Sequence, residues 1–103
     1  MKRYKNEKGQ LHRTDGPAII YADGSKFWYQ HGMLHRTDGP AVERANGTKK
    51  WYIEGIRHRI DGPAIEYANG TMSWYINGKQ YTEHEFNDKR LKSMLIPPEM
   101  WEI

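Results

Sequence analysis

The chain of 103 residues contains no cysteine. That excludes a disulfide framework and any zinc site built on thiolates, and it suits a reducing compartment. Apolar residues are few, at 37%, and nowhere do they gather into the run of about 18 that spans a bilayer. The opening "MKRYKNEKGQ" is basic but has no apolar stretch behind it, so it does not read as a signal peptide. Serines are scarce, and Ser25, Ser73 and Ser93 stand outside any elbow-like motif. Without a cysteine or a placed serine, the usual nucleophiles of covalent catalysis are missing. The expected location is the cytoplasm.

Aromatic residues, by contrast, are abundant. They make up 13% of the chain, with seven Tyr and four Trp, a share that separates it from disordered sequences. The net charge is +3 and unevenly spread. Residues 1–11 hold Lys2, Arg3, Lys5 and Lys8 against Glu7 alone, whereas the stretch after residue 80 holds more acids than bases. A basic arm of this kind can approach phosphates or anionic lipid, or serve only to solubilise.

The dominant feature is a repeat. "LHRTDGPA" occurs at 11–18 and again at 34–41, and "RHRIDGPA" follows at 57–64, each copy 23 residues after the last. Asp15, Asp38 and Asp61 keep this step, as do Gly24, Gly47 and Gly70, Trp28, Trp51 and Trp74, and Tyr29, Tyr52 and Tyr75. A fixed period in this range signals stacked supersecondary units. Each unit reads as two short strands. Asp23–Gly24, Asn46–Gly47 and Asn69–Gly70 supply a two-residue hairpin turn, and His31–Gly32, Glu54–Gly55 and Asn77–Gly78 turn the chain again. Pro17, Pro40 and Pro63 are placed at strand starts, because Pro cannot donate within a ladder. The N-terminus aligns as half a unit, with Gly9 standing 23 residues before Gly32.

The expected fold is therefore mainly β: a single-layer antiparallel β-meander of stacked hairpin repeats, about seven strands in all. The half repeat covers residues 1–11, and full repeats cover 12–34, 35–57 and 58–80. Residues 81–103 form a separate C-terminal cap and tail. There, Thr82 and Glu85 have capping-box spacing, and a helix is expected through about Leu95 before Pro97–Pro98. Phe86, Leu91, Met94 and Leu95 supply its apolar stripe, and it would fold back with "EMWEI" over one end of the sheet.

At "WYINGKQ" and "YADGSKFWYQHG" the sequence resembles the MORN repeat family, over about residues 9–80. It departs from that pattern where "DGPA" replaces the usual "GxG". The "HRxDGPA…WYxNG" form more closely resembles small proteins of bacteriophages and giant viruses. The resemblance implies a meandering sheet and a binding role. The viral likeness implies an inhibitor or adaptor acting on a host protein, such as a defence protein.

His-Arg-x-Asp invites a catalytic reading through a His–Asp pair. Equivalent residues of successive units lie two strands apart, about 9.5 Å, whereas donor atoms on one metal lie within about 4.5 Å of each other. His12, His35 and His58 are therefore not expected to share an ion, and neither a metal site nor a cofactor is expected. The alternative is a ladder of turns. In it Asp15, Asp38 and Asp61 accept backbone N–H bonds, Arg13, Arg36 and Arg59 pair with those carboxylates, and each His stacks on an aromatic ring and donates to a carbonyl. The expectation is thus not an enzyme, with a His–Asp hydrolase as the least favoured reading.

Alternation along a strand puts the Trp row on one face and the Tyr row on the other. A single layer cannot hide both, so either the sheet curls around its larger residues or something covers a face, the C-terminal helix in part and another protein over the remainder. The candidate partner face holds Tyr29, Tyr52 and Tyr75, with Tyr21 and Tyr67 and a basic spot at Arg44, Lys49 and Lys50. Tyr and Arg concentrate binding energy at interfaces. The expected partner is a host or cognate protein, with nucleic acid or anionic lipid as the alternative and a second copy of the chain as a further candidate.

Overall fold

The computed structural model describes residues 1–88. It is mainly β, with an antiparallel sheet of many strands and one short helix near the C-terminal end. The strands are β1 (Lys2–Arg3), β2 (Ile19–Ile20), β3 (Lys26–Phe27), β4 (Tyr29–Gln30), β5 (Met33–Leu34) and β6 (Val42–Glu43), then β7 (Lys49–Lys50), β8 (Tyr52–Ile53), β9 (Ile56–Arg57), β10 (Ile65–Glu66), β11 (Met72–Ile76) and β12 (Lys79–Tyr81). The helix α1 is Glu83–Asn87. Eight strands form one sheet in the order β1-β2-β3-β6-β7-β10-β11-β12, and β4-β5 and β8-β9 form two small ladders beside it.

The strand count exceeds the expected seven because each long strand changes partners at its Trp. The Trp28 N–H bonds to the Ala41 carbonyl of the next unit, while its own carbonyl accepts the His35 N–H. Trp51 repeats the exchange with Ala64 and His58. One strand thus serves the large sheet with its first half and its own second hairpin with the other half. The second hairpins are tied to each other by equivalent bonds, Arg13 N–H to Tyr29 C=O, Arg36 to Tyr52 and Arg59 to Tyr75.

The two turns of each unit are of different kinds. The second is the two-residue turn: His31 and Gly32 have φ of 52° and 79°, Glu54 and Gly55 48° and 79°, Asn77 and Gly78 52° and 83°. Left-handed dihedrals at both positions match the twist of the flanking strands. The first turn was expected to be of this type and is not. Among its residues only the glycine has positive φ. Tyr21 N–H bonds to Ser25 C=O and Gly24 N–H to Tyr21 C=O, which makes a three-residue loop with glycine in the left-handed place. The Asp or Asn before it has no positive φ and accepts the N–H two residues on, Ser25 to Asp23 at 2.8 Å and Thr48 to Asn46 at 3.0 Å.

The N-terminal half unit is present with a shifted register. Asn6 and Gln10 close a loop one residue longer than the turn at His31–Gly32, so Tyr4, not Lys5, occupies the Trp place. Its N–H bonds to Ala18 C=O and its carbonyl accepts the His12 N–H. β1 leaves an open edge that carries exposed Lys2 and Arg3, charges that oppose edge-to-edge pairing.

The core is thin and linear. Ala18, Ala41 and Ala64 are fully buried, next to buried Ile19, Val42 and Ile65. At the C-terminal end the core widens into a cluster of Ile76, Tyr81 and Phe86, with Ile60 and Trp74 against it. α1 forms that end. The Thr82 hydroxyl accepts the Glu85 N–H at 3.1 Å, and the Glu85 carboxylate accepts the Thr82 N–H at 2.9 Å. This is the expected capping box, and α1 packs on β11 and β12 as a cap. The helix continuing to Leu95, its stripe of Leu91, Met94 and Leu95, and the tail fall outside the described residues. No helix among the described residues is long and apolar enough to cross a membrane.

Candidate binding face

The His-Arg-x-Asp motif is the first place to look for chemistry, and the structure places its side chains within the scaffold. Arg36 lies over the Trp28 ring, its Cζ 3.9 Å from the ring centre, and Arg59 lies 3.9 Å over Trp51. Arg13 does the same over Tyr4 at 4.1 Å. Nε of each reaches the Asp of its own unit, at 2.9 Å for Asp15 and 2.8 Å for Asp38 and Asp61. Nη1 of each donates to the Pro carbonyl four residues on. Glu43 and Glu66 add second carboxylates to Arg36 and Arg59, at 3.5 and 2.9 Å. The guanidinium also holds the carboxyls of Asp15 and Asp38 below the usual range. The expected Arg–Asp pairing is present, and each Asp takes the Arg of its own unit.

The glycine of DGPA follows from the same packing. A Cβ on Gly16, Gly39 or Gly62 would fall 3.0, 2.9 or 2.8 Å from the guanidinium carbon of Arg13, Arg36 or Arg59. The cation is held between a ring and a bare backbone.

The histidines act in the opposite sense to the one expected: each accepts. Nδ1 of His12, His35 and His58 takes the N–H of His31, Glu54 and Asn77, at 3.0, 2.9 and 2.9 Å. These are the left-handed residues of the next two-residue turns. The bond requires Nδ1 to be unprotonated. His58 is 2% exposed, and burial pushes its pKa down. Each imidazole serves a different turn, that of the following hairpin. Shallow grooves open between successive loops, about 590 Å³ beside Trp51 and Arg59 and about 450 Å³ beside Trp28 and Arg36, with exposed Asp38 on both rims.

The two sheet faces differ in charge. Cross-strand partners share a face. One row across the large sheet runs Lys2, Ile20, Lys26, Glu43, Lys49, Glu66 and Met72. Because Glu43 and Glu66 reach Arg36 and Arg59, this row lies on the Trp face. Lys49 stands between the two glutamates. The other row runs Arg3, Ile19, Phe27, Val42, Lys50, Ile65 and Ser73 and holds no acid. The structure therefore divides the expected basic spot: Lys49 lies on one face, Lys50 and Arg44 on the other.

Tyr21, Arg44 and Tyr67 occupy equivalent positions two residues beyond Ile19, Val42 and Ile65, and all three are exposed. Phe27 joins them, edge-on to Tyr21 at 5.4 Å with the Arg44 guanidinium 5.6 Å from its centre. Alternation puts Tyr29, Tyr52 and Tyr75 on this same face, all half-buried. Burial, then the neighbouring Tyr21 and Tyr52, push the Tyr29 phenol pKa up. One residue of this face was missed. Arg57 stands where the other units have Leu11 and Leu34, and that break in the period was its signal. It donates to the Tyr52 hydroxyl at 2.8 Å and lies 4.7 Å from the Tyr75 ring centre.

No family model, curated protein or solved structure matches the chain.

Proposed function

We propose that this protein is a non-enzymatic binding module that holds a partner protein on its tyrosine-bearing face. One observation carries the reading. The Arg, Asp and His side chains of the catalytic-looking motif all make contacts inside the scaffold: Arg with Trp or Tyr, Asp and a Pro carbonyl, and His with a backbone N–H. The exposed Tyr21–Arg44–Tyr67 row has the residue types that concentrate energy at interfaces. It sits on a scaffold whose repeated turns leave it little to reorganise on binding, which favours affinity.

The likeness to MORN repeats supports the same reading. Its viral form supports a role as an inhibitor or adaptor directed at a host protein. A protein captured from host lysate and identified by mass spectrometry would then be titrated, purified, against the purified chain by calorimetry. A saturable one-site isotherm supports the module. Turnover of a substrate, abolished by His→Ala in one unit without loss of stability, sinks it.

A further inference from the structure

Charge is sorted between the two faces, and the sorting points to a kind of partner. On the Trp face Glu43 and Glu66 alternate with Lys26 and Lys49, and Arg36 and Arg59 are paired with Asp38 and Asp61. That face is locally neutral. The opposite face carries Arg3 and Lys50 in its register row, Arg44 beyond it and Arg57 among the tyrosines. Asp23 lies beside Arg44, and its carboxylate already accepts the Ser25 N–H.

We infer that the Tyr21–Phe27–Arg44–Lys50–Tyr67 surface docks an acidic segment of a partner protein, in which carboxylates flanked by apolar side chains meet Arg44 and Lys50. This deepens the binding-module reading and rests on it. The chemistry favours carboxylates over bases. Stacking platforms for nucleic acid need open ring faces. Here Arg44 approaches the Phe27 face, Tyr21 lies edge-on to Phe27, and Arg57 occupies Tyr52 and Tyr75. These groups carry N–H and O–H donors beside apolar rings. Carboxylates pair with guanidinium through charge-assisted, often bidentate bonds.

Twelve-residue peptides selected on the full chain from a random display library test this. Their binding is read by fluorescence anisotropy on the wild type, on Arg44→Glu/Lys50→Glu, and on Lys26→Glu/Lys49→Glu of the opposite face. Selected peptides are expected to be rich in Asp and Glu beside aliphatic or aromatic residues. Their affinity is expected to fall at least tenfold in Arg44→Glu/Lys50→Glu and less than twofold in Lys26→Glu/Lys49→Glu. Lys50 is half-buried, so Arg44→Glu alone, at an exposed site, must show at least a threefold loss with an unchanged melt. Neutral or basic peptides, or equal losses in both double variants, overturn the inference. So does a single-stranded 20-mer oligonucleotide that binds tighter than the peptides, with the same loss in Arg44→Glu. If the captured partner binds both double variants like the wild type, the face is wrong and the module reading stands. If no purified protein binds the chain at all, the module reading fails with it.

Discussion

Arg36 lies 3.9 Å above the centre of the Trp28 ring, with Gly39 closing its other side. The cation is part of the packing, and the same arrangement recurs at Arg59 on Trp51 and, with a Tyr, at Arg13 on Tyr4. It explains why Arg, Asp, Gly and an aromatic residue recur together in the period.

Gly39→Ala should test the fit directly. Its methyl would sit 2.9 Å from the guanidinium carbon, so Arg36 must leave the ring or the loop must move. Overpacking of this kind costs about 1–3 kcal/mol. Arg36→Lys keeps the charge but loses the guanidinium's contact with the ring and its several bonds, and should also destabilise, by about 1–2 kcal/mol. Urea unfolding midpoints of both variants check this; a wild-type midpoint in Gly39→Ala would contradict the sandwich.

Acid should weaken the fold through His58. Its pKa is lowered by burial in the folded chain, so the unfolded chain takes up the proton first. The stability it contributes is complete above the ordinary histidine value of about 6.5 and is lost as pH falls from there through the depressed folded value. The slope from one such group is at most about 1.4 kcal/mol per pH unit. In His58→Asn, whose side-chain oxygen can still accept the Asn77 N–H, that part of the slope should vanish. Denaturation curves between pH 4 and 8 measure it.

Glu54 holds φ of 48° in a place that suits Asn. Left-handed backbone costs an ordinary residue about 1–2 kcal/mol, and Asn-Gly is the preferred pair for this turn. Glu54→Asn should raise stability by about 0.5–1 kcal/mol, and Glu54→Val should lower it by more than that. A thermal melt of each variant reads the sign.

The C-terminal cap should matter to the sheet. Phe86 is 2% exposed against Ile76 and Tyr81. Phe86→Ala is expected to cost about 3–5 kcal/mol. Thr82→Ala, which removes one half of the capping box, should cost about 1 kcal/mol. Amide exchange should then show β12 and α1 opening ahead of the sheet around β6 and β7.

Much of this architecture is legible in the chain because turns and caps are local. Gly32, Gly55 and Gly78 mark places where the chain turns, and Thr82 with Glu85 marks a helix start within four residues. Asn69–Gly70 misled because the same dipeptide serves two turn types. The choice between them lies in how Tyr67 and Thr71 pair across the loop, at 2.8 Å from N–H to carbonyl. Tyr4 was missed because one extra residue in the first loop shifts the register, and a fixed period cannot register an insertion before its first copy. Arg57 was visible only as a departure from Leu11 and Leu34, with nothing to say that Tyr52 and Tyr75 would receive it.

By itself the sequence determined the repeat, its turns and the alternation that sets Trp against Tyr, since each depends on backbone preferences a few residues long. Tertiary structure decided which atoms meet across units. It put Lys49 between Glu43 and Glu66 and turned Lys50 to the other face, and it made each histidine an acceptor for the turn of the following hairpin. Those outcomes depend on register between strands, which is set by the packing of whole hairpins.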